Sequence, residues 1–319
     1  MTVAPPYRLL ICVPALVACT VKDTRKATVD SVDAAKRETT LAHAPAPAMP
    51  ATRGFRQPQS VRYDSALDVF FVSNMGGGAA APGDSAFISR LRPDGTIDSL
   101  RFIAGGRGGA VLRAPRGLAI TGDTLWVADV DAVRGFNKRT GAPVATVDLK
   151  AVGAALLSDL AAAPDGALYI TDAGPRQHSD AKHGDRVFKV AGRRASVALH
   201  SDSLGSPTGI AWDARGKRFI IVQWDGARIL AWRPGDAQPR TIGFGANQAG
   251  GVEMLADGRL ILTSRAQHAL IVHAGPDEYT VRGFSAPADF AVDTRRSRLA
   301  IPILDQDRVE FWALPPLHP

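Results

Sequence analysis

The segment PRGLAITGDTLWVAD, residues 115–129, contains the unit from which the fold is built. It has a Pro-x-Gly start, an alternating apolar run, a Gly-Asp turn, a second apolar run and a polar end. That order predicts two antiparallel strands joined by a tight turn. Because the same order recurs along the chain, the sequence predicts a repeat architecture.

Six copies of this unit follow one another. Their first strands are PQSVRY at 58–63, PRGLAI at 115–120, LSDLAA at 157–162, PTGIAW at 207–212, AGGVEM at 249–254 and PADFAV at 287–292. A second and a third apolar strand follow in every copy, and a fourth follows in five copies. The differences between consecutive start numbers are 38 to 57 residues, close to the length of four-stranded propeller blades. The sequence therefore predicts an all-β, six-bladed β-propeller with four-stranded antiparallel blades.

The last copy is too short for a complete blade. It has residues 287–319 and lacks a fourth strand, whereas TRGFRQP at 52–58 is similar to VRGFSAP at 281–287, the fourth strand of the preceding copy. We expect the N-terminal strand to complete the last blade, so that the ring has no free edge where it closes. The propeller is thus predicted to cover residues 52–319. The aromatic residues on the apolar strand faces are expected to pack between blades.

The chain before the repeats has two parts. Residues 1–18 contain the apolar run Leu9–Ala18, which is too short to span a bilayer and is typical of a secretory signal peptide. Its end, LVAC at 16–19, resembles the bacterial lipobox, in which the Cys is acylated and becomes the new N-terminus. The resemblance implies a lipid anchor on Cys19 in the bacterial cell envelope, on its periplasmic or outer-membrane face. The alternative is an ordinary signal peptide with an incidental Cys.

Composition sets further limits. Residues 19–51 contain APAPAMPA and almost no large apolar side chain, which predicts a flexible tether. The net charge of +7 is spread along the chain without a basic cluster, which argues against nucleic-acid binding. With Cys12 in the removed segment, Cys19 is the only Cys of the mature chain, so no disulfide can form within it. We expect a monomer.

One mouth of the channel is the expected functional site. In a propeller the first strand of each blade starts at the mouth where the second strand ends. The residues expected to bind a ligand there are Arg116, Ser158, Asp159, Thr208 and Asp289 at first-strand starts, and Asn74, Asp129 and Asp172 at second-strand ends. The structural alternative is that strand-end Asp residues cap turns and that Arg116 neutralises Asp159 or Asp289.

Two long loops are expected to form one wall of this mouth. They cover residues 74–85 and 172–185, and long loops at the end of a rigid scaffold often carry function. His178 and His183 lie in the second loop without a Cys or Glu at ligand spacing. We therefore expect them to be exposed to solvent rather than to bind a metal.

The phrases PTGIAWDARG, SDLAAAPDGALYITD and PRGLAITGDTLWVAD resemble the repeats of a known superfamily, the six-bladed gluconolactonase and senescence-marker-protein (regucalcin) propellers, which merge with NHL-repeat propellers. The resemblance covers about residues 52–315. In the lactonases of that superfamily a Glu, two Asn and an Asp at inner-strand starts hold a divalent cation. The matching positions here are Gln59, Ser158, Thr208 and Gly250, none of which is kept. Since hard cations need several carboxylate and carbonyl oxygens, the resemblance implies the fold and a metal site that has been lost.

Two functional hypotheses remain. The first is a lipid-anchored envelope propeller that binds a small polar ligand or a protein segment at the channel mouth, with no certain cofactor. The second is a metal-dependent lactonase or esterase-like hydrolase with a rearranged site. There Ca²⁺ or Zn²⁺, held by Asp159 and Asp289, would polarise a carbonyl and activate a water. No G-x-S-x-G, H-E-x-x-H or P-loop motif occurs in the sequence.

Overall fold

The alternation of apolar and polar residues produces strands throughout the part of the chain that the structure describes. The computed structural model describes residues 1–2, 40–43, 47–77, 85–174, 185–275 and 277–316. Within these ranges there are strands and three short 3₁₀ helices, and there is no α-helix. None of these residues forms a helix with the length and apolar character needed to cross a membrane. The described residues from Thr40 onward form one compact unit.

The strands are, in chain order, β1 Thr40–His43, β2 Pro47–Arg53, β3 Pro58–Asp64, β4 Val69–Asn74, β5 Phe87–Leu91, β6 Ile97–Ala104, β7 Pro115–Thr121, β8 Thr124–Asp129, β9 Ala132–Asn137, β10 Pro143–Asp148, β11 Leu157–Ala162, β12 Leu168–Asp172, β13 Arg186–Ala191, β14 Arg194–His200, β15 Pro207–Asp213, β16 Arg218–Gln223, β17 Arg228–Trp232, β18 Arg240–Phe244, β19 Ala249–Met254, β20 Leu260–Ser264, β21 Ala269–Ala274, β22 Asp277–Arg282, β23 Ala291–Asp293, β24 Arg298–Ile303 and β25 Arg308–Ala313. The 3₁₀ helices are Lys150–Val152, Asp202–Leu204 and Leu304–Gln306.

The strands form six antiparallel sheets, which are the six predicted blades. Blades one to four are β3–β6, β7–β10, β11–β14 and β15–β18, each in sequence order from the channel outward. Blade five is β19–β22, and blade six is β23, β24, β25 and then β2. The prediction of a six-bladed β-propeller with four-stranded blades is confirmed.

The ring closes through the N-terminal strand, as predicted, but with an earlier segment. The closing strand is β2, Pro47–Arg53, which pairs antiparallel with β25 through pairs such as Arg53 with Arg308, rather than the segment 52–58. In addition, β1 pairs parallel with β22 and adds a fifth strand to blade five. Strand β1 was not predicted from the sequence. The strands of the propeller therefore begin at Thr40, so the prediction of a flexible tether over residues 19–51 is wrong for Thr40–His43 and for residues 47–51, which pair with blade strands.

The core lies between neighbouring blades, where each sheet packs its apolar face on the next. Six hydrophobic clusters fill the six blade interfaces. Between blades three and four, Tyr169 and Phe219 approach with ring centroids 4.5 Å apart, and Trp232 packs beside them. The expectation that aromatic residues pack between blades is confirmed for these three. A rigid ring of this kind fixes the strand starts that surround the channel.

Candidate functional site

The inner strands start around a cavity of about 580 Å³ at one mouth of the channel, which we call the mouth cavity. Five of these strands, β3, β7, β11, β15 and β19, have a β-bulge within their first four residues. A bulge places two successive residues on the same side of a strand. Both the second and the third residue of an inner strand can therefore reach the cavity. The second residues that line it are Gln59, Arg116, Ser158, Thr208 and Gly250, and the third residues are Gly117 and Asp159. In blade six the lining residues are Ala288 and Asp289, which come just before β23.

Five of the predicted ligand-binding residues, namely Arg116, Ser158, Asp159, Thr208 and Asp289, therefore lie around one cavity. Their hydrogen-bonding states differ. The Thr208 hydroxyl donates to the Ala249 carbonyl at 2.7 Å and so links two blades. The buried Ser158 hydroxyl, in contrast, has no partner among the described residues. Thr208 is thus occupied by the fold, whereas Ser158 is available to a ligand.

The structure does not bring Asn74, Asp129 and Asp172 to the mouth cavity. All three side chains are fully buried, and they bind the backbone that leads into their own blade or the strands beside it. Asp172 accepts hydrogen bonds from the N–H groups of Ala155, Leu156 and Gly174 at 2.8–2.9 Å. These contacts satisfy backbone donors that would otherwise be buried without partners. The turn-capping alternative is the one observed for Asp172.

Asp129 and Asn74 act in the same way. Asp129 accepts from the N–H groups of Arg113 and Ala114 at 2.9 and 2.7 Å, and it pairs with Arg134 at 2.6 Å. The Asn74 amide oxygen accepts from the Arg56 N–H at 3.0 Å. The expectation that these strand-end side chains face a ligand is wrong, because their oxygens are already used by the backbone.

In four of the six blades, the residue after the second strand reaches the cavity. Met75, Trp224, Arg265 and Leu304 each follow the last residue of a second strand, and all four line the mouth cavity. The Arg265 guanidinium carbon lies 5.3 Å from the centre of the Trp224 ring, within the range of a cation–π contact. In blade one the lining residue is therefore Met75, one position beyond the predicted Asn74.

Asp159 and Asp289 each tie neighbouring blades together. Asp159, on blade three, accepts from its neighbour Leu160 N–H at 2.8 Å and from the Ile210 N–H of blade four at 3.0 Å. Asp289, on blade six, accepts from the Ser60 hydroxyl of blade one at 2.5 Å, while its other oxygen is buried without a partner among the described residues. Both carboxyls thus have a structural role in addition to lining the cavity.

Two glycines make room for these carboxyls. A Cβ added at Gly117 would lie 2.5 Å from the Asp159 Cα, and one added at Gly251 would lie 2.7 Å from the Asp289 Cα. These distances are shorter than real Cβ contacts, so any side chain there would push two blades apart. In both places an Asp of one blade packs on a Gly of the preceding blade.

The cation that neutralises these carboxyls is Arg62, and not Arg116 as the structural alternative held. Arg62 forms an ion pair with Glu253, lies 3.7 Å from an Asp289 carboxylate oxygen, and donates from Nε to the Leu118 carbonyl at 2.8 Å. Sequence reasoning missed both Arg62 and Glu253. A signal for them exists: they occupy the fifth position of the inner strand, which is Ala119, Ala161, Ala211 and Ala291 in the other four copies.

Burial governs the pKa values of this group. Burial raises the pKa of Asp159 to about 6, although Arg62 and the two N–H donors act in the opposite direction. Burial and the nearby charge of Asp159 raise the pKa of Asp289 well above its usual value. Burial alone would lower the pKa of Arg62, but the charges of Glu253, Asp289 and Asp159 outweigh it and raise the pKa. Burial therefore favours the protonated form of both carboxyls relative to an exposed Asp.

Arg116 lacks such compensation. Its side chain forms no ion pair or hydrogen bond with the described residues, and its Nε is buried without a partner. Burial lowers the pKa of Arg116, yet a guanidinium remains charged in proteins. The mouth cavity thus holds a partly buried cation with nothing in the described chain to neutralise it.

The residues at the metal positions of the lactonases do not fit a hard cation. Gln59, Ser158, Thr208 and Gly250 do converge on the mouth cavity, but none of them has a carboxylate and Gly250 has no side chain. Among the described residues, no three His, Cys, Asp or Glu side chains are grouped closely enough to hold a metal ion. This donor set does not meet the requirements of Ca²⁺.

Several predicted features lie outside the described residues. They are Cys19 with most of segments 1–18 and 19–51, residues 78–84 and 175–184 of the two long loops, and His178 and His183. Of the first loop, Met75 is described and lines the mouth cavity.

The fold and site define a six-bladed propeller with a polar cavity at one channel mouth. No protein-family model and no curated protein matches the chain. Solved structures do: a calcium-binding regucalcin from Agrobacterium tumefaciens has a TM-score of 0.63 at 15% identity, over 86% of this chain and 95% of the other. A gluconolactonase from Xanthomonas campestris has a TM-score of 0.62 at 16% identity, over 86% and 98%. A putative gluconolactonase has a TM-score of 0.62 at 14% identity, over 85% and 93%.

These structures have the fold that the sequence resemblance implied. At 14–16% identity the likeness concerns the fold, since one propeller architecture carries many unrelated activities.

Proposed function

We propose that this protein is a lipid-anchored propeller of the bacterial cell envelope that binds a small polar ligand in the mouth cavity. The volume of about 580 Å³ lies within the range of small-molecule sites, which is about 300–1,000 Å³. The cavity combines polar groups from several inner strands with apolar groups such as Met75 and Leu304. A few placed polar groups among apolar ones are typical of such sites.

One observation carries this proposal. Three residues that line the mouth cavity have a buried polar atom without a partner among the described residues: Arg116 Nε, Ser158 Oγ and Asp289 Oδ1. Buried polar groups are nearly always hydrogen-bonded, and leaving one unpaired costs about 1–3 kcal/mol. A ligand that bonds to these atoms would remove that cost, so their convergence favours binding over a purely structural role.

The proposal includes the loss of the metal site found in the lactonases. It is supported by the missing carboxylate at Gln59, Ser158, Thr208 and Gly250. The alternative hydrolase would have to hold its metal through Asp159 and Asp289, but Asp159 already uses both oxygens for backbone N–H groups. Binding without metal chemistry is therefore the better account of these residues.

The proposed location rests on the sequence LVAC at 16–19, which places Cys19 directly after a short apolar run. In this proposal the acylated Cys19 holds the propeller at the membrane through the segment that precedes β1.

The test is to block the mouth cavity without changing its charge. Ala155 is exposed on the cavity lining, so Ala155→Trp should fill the opening and leave the polar groups in place. Ala237→Trp, at an exposed turn between β17 and β18, is the matched control. Small polar compounds are screened by the melting temperature, which a ligand raises by mass action.

We expect some compounds to raise the melting temperature of the wild type and of Ala237→Trp, but not that of Ala155→Trp. A library that stabilises none of the proteins, or all three equally, would exclude ligand binding at this mouth. A shift produced by Ca²⁺ or Zn²⁺ alone, and lost in Asp159→Ala, would support the hydrolase instead.

A further inference from the structure

We propose that the ligand of the mouth cavity is a small organic carboxylate, which pairs with the Arg116 guanidinium while its apolar part packs on the rim formed by Met75, Trp224 and Leu304. This inference rests on the proposed function, because it names the ligand class of the same cavity. It depends on the charge and geometry of the cavity, and it can fail while ligand binding itself holds.

The first step concerns Arg116. The residue is fixed on β7, at the start of an inner strand between two other blades, so the position of its backbone is set by the ring. Its buried Nε has no partner among the described residues. Two N–H groups on one edge of a guanidinium, or at its Nη end, point in parallel and can donate to both oxygens of a planar carboxylate. Because the Arg116 Nε is itself buried, a ligand would reach the guanidinium at the end that lines the cavity. Its Nη N–H groups there suit a carboxylate better than a single hydroxyl.

The second step is that no protein carboxylate competes for this cation. Of the acids that line the mouth cavity, Asp159 has both oxygens on backbone N–H groups. Asp289 accepts from the Ser60 hydroxyl and lies beside Arg62 through one oxygen; its other oxygen has no partner among the described residues, Arg116 included. Glu253 is paired with Arg62. Arg116 thus remains the uncompensated charge among these groups.

The third step is a second cation at the same cavity. Arg265 lines it, forms no ion pair with a described carboxylate, and lies against the Trp224 ring. Two guanidinium groups in one partly buried cavity create a positive potential that attracts anions. A neutral ligand would leave both charges desolvated without compensation.

The fourth step limits the rest of the ligand. Met75, Leu156, Trp224 and Leu304 give the cavity an apolar part, whereas Gln59 and Ser158 offer polar atoms on the wall. An inorganic anion would leave the apolar part in contact with water. A carboxylate attached to a small apolar body would use both parts of the cavity.

The experiment compares pairs of compounds that differ only in charge. Benzoate and benzamide, and lactate and lactamide, are titrated calorimetrically into the purified protein at fixed ionic strength, with sulfate as a tetrahedral anion. The variants are Arg116→Gln, which removes the charge, and Arg116→Lys, which keeps it but loses the planar edge. Arg139→Gln is the control, because Arg139 belongs to the same blade and its side chain is 60% exposed.

We expect a carboxylate to bind roughly ten- to a hundredfold more tightly than its amide, as a charge-assisted hydrogen-bonded pair allows. Arg116→Gln should remove this preference, Arg116→Lys should restore only part of it, and Arg139→Gln should keep it. The melting temperature of Arg116→Gln should be unchanged or higher, because an unpaired buried charge is removed. A residue with a merely structural role would lower it.

Three results would overturn the inference: an amide that binds as tightly as its carboxylate, sulfate that binds where carboxylates do not, or unchanged carboxylate binding in Arg116→Gln. If neutral compounds bind and are blocked by Ala155→Trp, ligand binding stands and the carboxylate assignment fails. If nothing binds, both fail.

Discussion

Replacing Asp159 with Asn should change how the stability of the propeller depends on pH. In the folded protein burial raises the pKa of Asp159 to about 6, whereas an unfolded Asp titrates near about 3.9. Between these values the folded state binds the proton and the unfolded state does not. The contribution of Asp159 to the free energy of unfolding is therefore greatest below about pH 4 and falls as the pH rises towards 6.

The magnitude follows from the pKa difference. Two pKa units correspond to about 3 kcal/mol, and Asp159 is only 2% exposed, so little of this is lost to solvent. The wild type should thus lose about 3 kcal/mol through Asp159 between pH 4 and 7. Other carboxyls act in the opposite direction: hydrogen bonds from Arg296 and Tyr63 hold the pKa of Asp68 below its usual value. The total profile therefore does not isolate Asp159.

The difference between wild type and Asp159→Asn does isolate it. Asn can accept only one of the two N–H bonds from Leu160 and Ile210, which costs about 1–3 kcal/mol at every pH. The variant is thus less stable at pH 4.5, and the gap should narrow or reverse by pH 7.5. Urea unfolding at a series of pH values measures this gap. A gap that is constant, or that widens with pH, would refute the assignment of a raised pKa to Asp159.

Three further predictions concern the ring and the anchor. Gly251→Ala should destabilise the propeller by about 1–3 kcal/mol, because the added Cβ would overlap Asp289. Gly243→Ala is the control and should have little effect, because the nearest atom to its Cβ would be 3.8 Å away. Equal melting temperatures for both variants would contradict the close packing at Gly251. Arg62→Met should raise the pKa of Asp159 and Asp289 further, so the loss of stability should be larger at pH 7 than at pH 5. A larger loss at pH 5, measured by chemical unfolding, would exclude Arg62 as their counter-ion. Cys19→Ser should release the protein from membranes in cell fractionation, and unchanged membrane association would exclude acylation of Cys19.

The repeat pattern made the blades predictable, because apolar alternation and turn residues act locally. Each first strand identified at 58, 115, 157, 207 and 249 begins a strand of the structure. The closing strand was less well placed, since TRGFRQP at 52–58 matches an outer strand in sequence, but the pairing with β25 uses Pro47–Arg53. Pairing across the ends of the chain depends on tertiary geometry that no local pattern contains.

The sequence predicted the cavity residues at first-strand starts, but not those near second-strand ends. First-strand starts reach the cavity because the bulge exposes two successive residues, which includes Arg116 and Asp159. At second-strand ends, Asp129 and Asp172 turn inward to bind backbone N–H groups, whereas in blade one the residue after Asn74, Met75, lines the cavity. Sequence alone cannot decide between these two directions, because an Asp after a strand suits a cap and a ligand site equally well.

The pair of Arg62 and Glu253 shows a different difficulty. The two residues are 191 positions apart and belong to blades one and five, so only the ring brings them together. When the six copies are aligned, these two positions carry charged residues, whereas the other four copies have Ala at the same position. A departure from a repeat is therefore a useful signal, but it does not reveal its partner.

The departures from the repeat can now be separated by whether the fold explains them. Asp159 and Asp289 are explained by it: each fits against a Gly of the preceding blade, accepts a hydrogen bond from the following blade and shares the charge of Arg62. The fold does not explain Arg116, because its charge and its buried Nε have no partner among the described residues. A group that weakens the fold is expected where a ligand supplies what the protein lacks. A metal-binding interpretation would assign the function of this mouth to the carboxyls of Asp159 and Asp289. The unpartnered guanidinium of Arg116 is the better candidate for contact with a ligand.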